Sequence, residues 1–297
     1  VTADVRDEAA LEKIFAEGRF DAVVHFAALK AVGESMEKPL DYFDVNVCGL
    51  TTLLRVMDRA DCRRFVFSSS ATVYGVPDDT PTPETAEFRA NNPYAQTKIA
   101  SEQILGWLAA SDPRWAIGIL RYFNPAGAHA SGMIGEDPRD IPNNLMPFIA
   151  RVASGDLAKI SVFGDDYDTP DGTGVRDYIH VEDLARGHVL SLGSLFETGE
   201  SHVVNLGTGR GHSVLEVIEA YGRACGRALP HEIVPRRAGD VPVYVADPSR
   251  AEELLGFRTE RTLDDMCASS WAWISGAHSD QDEGRAADKL PADEKAD

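Results

Sequence analysis

Short apolar runs alternate along this chain with longer stretches in which apolar residues recur every three or four positions. The run at 21–26 (DAVVHF) is bounded by charge and alanine, the pattern of a strand buried on both faces of a parallel sheet. RFVFSS at 64–69 and AIGILRY at 116–122 read the same way. Helical patterns lie between them. Ala10, Leu11, Ile14 and Phe15 share one face behind a capping Asp7. Pro39 opens a helix running to about residue 60, with Val47, Leu50, Leu54 and Met57 at helical spacing, and a further helix spans 93–110. Strand and helix in strict alternation predict right-handed βαβ units, hence an α/β fold on a parallel sheet.

From about Asn124 the pattern changes. Glycine, proline, asparagine and aspartate crowd 124–144 and 164–174, and long loops within a folded chain usually carry function. Ser213 and Glu216 form a capping box that opens a helix over 214–225. The last helices are expected at 248–255 and 262–274. Residues 275–297 lose apolar periodicity and hold seven acidic and three basic residues, which reads as a solvated, disordered end. The expected division is one domain over 1–124, a second mainly over 125–274 with segments returning to the first, and the acidic tail.

Composition narrows the field. At 297 residues, 43% hydrophobic and 26% charged, the chain can bury a full core, and no run nears the ~18 apolar residues of a membrane span. A net charge of -19 repels polyphosphate backbones, so nucleic acid is not an expected partner. A locally basic pocket can still take a small anion. Four cysteines without knuckle or redox spacing imply a reduced, cytoplasmic protein, and no leader pattern is seen at the N-terminus. The eight histidines show no paired-ligand spacing, so no metal is expected; His25 is read as a core residue.

The chemistry centres on Tyr94 and Lys98, four apart and so on one helix face. An ammonium beside a phenol lowers its pKa from ~10 toward neutrality, making a usable proton carrier. The strand at 64–67 runs into SSSATVYG at 68–75, which puts hydroxyls at the carboxyl end of a parallel strand, where α/β sheets bind ligands. A glycine triplet at 207, 209 and 211 resembles a phosphate loop, but its spacing is wrong for a dinucleotide fingerprint. It is read as a tight turn.

Strand end, hydroxyl, then a helix with Tyr-x-x-x-Lys resembles the short-chain dehydrogenases. Closer still, FAALKAVGES at 26–35, SSSATVYG, RYFNPAGAH at 121–129, GEDP at 135–138, IPNNLMP at 141–147, DGTGVRDYIH at 171–180, NLGTG at 205–209 and RRAGD at 236–240 are similar to the UDP-glucose 4-epimerase (UDP-galactose 4-epimerase) family of extended short-chain dehydrogenase/reductases. The match runs in order from about Asp4 to Trp273. It implies a Rossmann-like doubly wound parallel sheet with a smaller α/β substrate-binding domain, tightly held NAD, and NAD-dependent interconversion of UDP-galactose and UDP-glucose through a 4-keto intermediate. It implies Tyr94 as acid/base, Lys98 as its tuner and ribose holder, and Ser70 on the sugar hydroxyl. Asp4, Val5, Phe26, Ala27, Ala28, Leu29, Lys30, Asn46 and Phe123 would face the cofactor. Asn124, Asn144, Arg176, Arg237 and Asp240 would grip the UDP-sugar, with Tyr244 limiting room at the sugar's second carbon. Without the resemblance, Arg176 and Arg237 would be read as surface partners of Asp177 and Asp240. The resemblance also implies a homodimer, packed through helices including 39–60 and 93–110.

One departure stands out. The family opens with a strand, a glycine-rich turn and a helix whose N-terminus cradles a pyrophosphate; here only Gly18, Gly33 and Gly49 precede residue 60. Relative to the family pattern, roughly fifty residues are expected to be missing (two strands and their helices), and the chain alone is expected to hold NAD poorly and not turn over. The competing readings are a non-catalytic nucleotide-sugar-binding protein and a related nucleotide-sugar dehydratase. The latter would want an acidic pair just before the tyrosine helix or after the strand-end hydroxyl, where this chain has Ser70, Ala71 and Thr72.

Overall fold

A computed structural model describes residues 1–138, 142, 144–237 and 240–287, with side chains described through 276. Ile141, Asn143, Ala238 and Gly239 of the motifs above, and 288–297 of the expected tail, lie outside the described residues. Helix α1 (Glu8–Glu17) starts where the Asp7 carboxylate accepts the Ala10 amide. Strand β1 (Val23–His25) follows, then two short helices, α2 (Val32–Glu37) and α3 (Pro39–Phe43). The helix expected to run unbroken from Pro39 breaks at Asp44–Cys48, a π-helical turn, before resuming as α4 (Gly49–Arg59). Such turns are usually tied to a local function, and this one carries the buried Asn46. Gly49 sits where a Cβ would lie 2.6 Å from Val5 Cγ1, so only glycine lets the N-terminal segment pack there.

Strand β2 (Arg64–Ser70), helix α5 (Pro93–Ser111) and strand β3 (Ala116–Tyr122) complete the first half. After β4 (Asn124–Ala126), α6 (Leu145–Ser154), β5 (Ile160–Phe163), β6 (Val175–His180) and α7 (Val181–Thr198), the chain returns to the first sheet as β7 (His202–Leu206). The remainder is β8 (Gly211–Ser213), α8 (Val214–Cys225), β9 (His231–Val234), β10 (Val243–Tyr244), α9 (Ser249–Leu255) and α10 (Leu263–Ala287). The capping box at Ser213 and Glu216 opens α8 as expected.

The principal sheet is parallel in the order β1-β2-β3-β7. Its strands are apolar on both faces because helices cover both. Phe65, Phe67, Ile117 and Ile119 face α1, α4 and α5, while Val66, Leu120, Val204 and Leu206 face α7 and α9. Each such side chain, fully buried, contributes about 1.5–3 kcal/mol. His25 sits at 6% exposure against Phe65 and Phe67, and burial brings it down to about 4.

The second lobe holds β10-β6-β4, with β8 antiparallel on β6, and the pair β5-β9. A small core of Ala71, Val73, Tyr74, Ile99, Phe123, Tyr244 and Ala246 joins the lobes. The tail departs from expectation: α10 continues to Ala287. Loss of apolar periodicity at 275 therefore does not mark the end of the helix. Among the described residues no helix is long and apolar enough to cross a membrane.

Candidate active site

The site forms where β1, β2 and β3 end together. β2 stops at Ser70, β1 leads into Phe26 and β3 into Phe123. Opposite them α5 begins at a fixed point, because Asn92 accepts the Ala95 amide at 2.8 Å and Pro93 occupies the first turn. That start places Tyr94 in the first turn and Lys98 one turn on, both aimed at the strand ends.

Lys98 is 4% exposed and donates from Nζ to the Ser68 carbonyl at 2.7 Å. Its Nζ lies 4.9 Å from the Phe67 ring centre and 5.8 Å from that of Tyr94. Burial lowers Lys98 to about 8, opposed by the charge of Glu102. The expectation that Lys98 pulls Tyr94 toward neutrality needs correction. Burial holds the phenol above its ordinary value, and the opposing influence is a hydrogen bond with Ser70. The reason is geometric: the ammonium lies beside the ring and is spent on a backbone carbonyl. Ser70 Oγ also takes the Thr72 amide and hydroxyl, at 3.3 and 3.0 Å.

On the β1 side, Phe26 is 62% exposed. Asn46, at 3% exposure, accepts the Leu29 amide at 2.8 Å and donates to the Leu29 carbonyl at 3.0 Å and to Thr97 Oγ1 at 3.1 Å. Both ends of its amide are thus used to hold the segment after β1 against α5. Lys30 is exposed and lies 3.4 Å from Glu136 of the 135–138 loop. Asp4 closes on Arg6, which pushes its carboxyl down to about 2, while Val5 packs at the edge of the core beside Gly49.

Across the cleft, Phe123 and Tyr244 pack with ring centres 5.3 Å apart, and the Tyr244 hydroxyl donates to the Ala71 carbonyl, next to Ser70. Asn124 opens β4 beside Tyr178 of β6. Arg176 donates to the Val175 and Val241 carbonyls at 2.9 and 2.8 Å, with Asp240 at 3.9 Å. Arg237 lies apart, its guanidinium 3.7 Å over the Phe163 ring. Asn144 is the exposed N-cap of α6, its side chain making no capping bond. The structure therefore gathers Ser70, Tyr94, Lys98, Phe123 and Tyr244 closely, pairs Arg176 with Asp240, and leaves Arg237 and Asn144 outside that cluster.

Asp177 does not pair with Arg176. It is buried and accepts the amides of Thr208, Gly209 and Ala246 together with the Thr208 hydroxyl. The amides that made the 207–211 stretch resemble a phosphate loop are thus already satisfied by a carboxylate, and a Cβ at Gly207 would lie 2.6 Å from Asp177 Oδ2.

Sequence reasoning missed two groups. Tyr122, which ends β3, bonds His188 of α7 through its hydroxyl, and Glu102 pairs with Arg121 beneath Lys98. A signal existed for the second: an arginine in an otherwise apolar strand, and a glutamate one turn past the lysine.

The chain matches the model of the family described as "NAD dependent epimerase/dehydratase family" over residues 1–207. It is 51% identical over 273 residues to a UDP-glucose 4-epimerase of Bacillus subtilis, covering 92% of this chain and 80% of that one. Among solved structures, it resembles a Stenotrophomonas maltophila UDP-glucose-4-epimerase with bound NAD and formylated UDP-arabinopyranose. The TM-score is 0.93 at 51% identity, covering 94% of this chain and 83% of that one. A Bifidobacterium longum UDP-glucose 4-epimerase in complex with NAD+ and UDP gives 0.87 at 52% identity, with coverages of 93% and 82%.

Proposed function

This chain belongs to the NAD-dependent epimerase/dehydratase family, and from that premise we propose that it interconverts UDP-galactose and UDP-glucose by NAD-dependent 4-epimerisation. The observation that carries the reading is the convergence of Ser70 at the end of β2 with Tyr94 and Lys98 on the first turns of α5. The residues present suit the ribose–nicotinamide half of NAD. An exposed Phe26 at the end of β1 offers an apolar flank, and Lys98 and Tyr94 offer a cation and a hydroxyl. No glycine-rich turn among the described residues meets a pyrophosphate. When bound, NAD supplies a hydride acceptor and donor at the sugar's fourth carbon, chemistry that no side chain provides.

The chain's own residues handle the protons. Tyr94 Oη takes the 4-hydroxyl proton and returns one to the 4-keto oxygen. Burial holds the phenol above its ordinary value, ready for the second role, and the hydrogen bond with Ser70 is the influence that favours the phenolate the first requires. Ser70 holds the sugar hydroxyl in line with Tyr94. Arg176, Arg237, Asp240, Asn124 and Asn144 hold the UDP-sugar; a guanidinium fork pairs phosphate oxygens in two places, which lets an acidic protein take a diphosphate. Turnover of UDP-galactose to UDP-glucose, lost in Tyr94→Phe, tests the reading.

Tyr244, wedged between Phe123 and Ala71, leaves little room at the sugar's second carbon. UDP-galactose should therefore be turned over faster than UDP-N-acetylgalactosamine, and equal rates would sink this assignment. Four unpaired cysteines suit a reducing, cytoplasmic setting. A homodimer fits the apolar side chains left bare on the helices flanking the site: Leu40 is 81% and Trp107 77% exposed. Light scattering should give twice the chain mass, falling to the monomer in Leu40→Glu/Trp107→Glu; an unchanged mass in that variant contradicts the surface.

A further inference from the structure

Beneath the Tyr94 and Lys98 pair lies a second, fully enclosed pair of charges. The side chains of Arg121 and Glu102 are 5% and 3% exposed. Arg121 Nε lies 3.1 Å from both Glu102 oxygens, and Nη2 lies 2.6 Å from Oε2, a fork-to-fork match. Arg121 Nη1 donates to the Tyr74 hydroxyl at 2.8 Å and to the Glu84 carbonyl at 2.9 Å, and Tyr74 donates to Asn205 at 2.6 Å. A buried ion pair is a poor device for stability, since apolar residues of similar volume often serve as well or better. Its placement gives it another use.

Glu102 accepts the Ser69 hydroxyl, while Lys98 donates to the Ser68 carbonyl. Two successive residues of β2 are therefore held by two side chains one helical turn apart on α5, and the next residue is Ser70. We infer that Glu102, held in place by its paired bonds to Arg121, is a positioning residue for the reaction: it sets a carboxylate one helical turn from Lys98 and fixes Ser68 to Ser70 against Tyr94. Its kinetic consequence rests on the 4-epimerase reading; its effect on Lys98 does not.

The groups facing Lys98 are few. From β1 comes His25, neutral above about 4; from β2, the Phe67 ring and the Ser68 carbonyl; from α5, Tyr94 and Glu102. Tyr122 of β3, which also bonds Ser68, and Tyr42 of α3 lie within electrostatic reach of Tyr94. Burial brings Lys98 to about 8 and Glu102 is the carboxylate opposing it, so losing that charge lets the lysine deprotonate at lower pH.

The test compares Glu102→Gln, which strands the Arg121 charge, with Glu102→Gln/Arg121→Gln, which removes both charges and guards against failure to fold. The titration midpoint of Lys98 is read by 13C NMR of labelled lysine, assigned by its loss in Lys98→Arg. The midpoint should fall by about one pH unit in the single variant, and by less in the double. The high-pH limb of the UDP-galactose rate profile should move down with it. An unchanged midpoint in either folded variant overturns the inference. A lowered midpoint with an unmoved rate limb overturns the role in the reaction. A lowered midpoint in a protein whose unsubstituted form shows no turnover upholds the coupling and rejects the epimerase reading instead.

Discussion

Tyr94→Phe should lower kcat by about 10²- to 10⁴-fold, the usual worth of a positioned proton carrier, while changing stability and UDP-sugar affinity little. The phenol's oxygen is the atom removed, and the ring that packs beside Lys98 stays. The loss belongs to the transition state, so kcat and kcat/KM should fall together while KM holds. Steady-state rates with UDP-galactose, alongside UDP binding by calorimetry, separate this from a folding defect. Retention of more than about a tenth of the activity would mean that another group moves the proton.

The largest stability effect outside the active-site helix is expected at Asp177. Removing its carboxylate in Asp177→Ala strands the buried amide of Ala246 and the half-buried amides of Thr208 and Gly209. An unpaired buried donor costs about 1–3 kcal/mol, so a loss of about 3 kcal/mol or more is expected. At this size that lowers Tm by roughly 6–12 °C. Asp177→Asn should rescue only in part, because its carbonyl oxygen can still accept from Thr208 while its NH2 would face the Gly209 and Ala246 amides. The register Tyr244↔Arg176 lies next to it in β6, so KM for the UDP-sugar should rise as well. A Tm within about 2 °C of the parent would show that the 207–211 turn holds without this carboxylate.

The elements that position the catalytic groups were legible because local rules govern them. The residues of β3 run from Ala116 to Tyr122 as the apolar run indicates, α5 begins at Pro93 behind Asn92, and Ser213 caps α8 through its box with Glu216. What escaped depends on the third dimension. Nothing in an even helical pattern announces the π turn over Asp44–Cys48, which exists where Asn46 reaches Leu29 across the sheet edge. The small sheet β10-β6-β4 assembles segments far apart in sequence; β4 and β10 are only three and two residues long, and β6 mixes charged with apolar residues. Helix α10 outlasts its apolar face to Ala287, which an apolar-periodicity rule does not see.

The electrostatics were the least legible part. A Tyr-x-x-x-Lys spacing states that two side chains share a face, yet not how deeply either is buried. Depth is what raises Tyr94 and lowers Lys98. The Glu102 and Arg121 pair, separated by nineteen positions, becomes one unit only when α5 lies on β3. Resemblance assigned roles to Arg237 and Asn144 that no local pattern signals; the first stacks on Phe163 and the second is exposed.

The most direct test is to incubate the protein and NAD with UDP-galactose carrying deuterium at the fourth carbon of the sugar, and to follow the products by NMR. With NAD supplied in excess, since no glycine-rich turn among the described residues holds its pyrophosphate, UDP-glucose should form with the deuterium retained at that carbon, and no such product should come from Tyr94→Phe. Conversion with the label washed out to solvent, or UDP-galactose bound but unchanged by the unsubstituted protein, would contradict it.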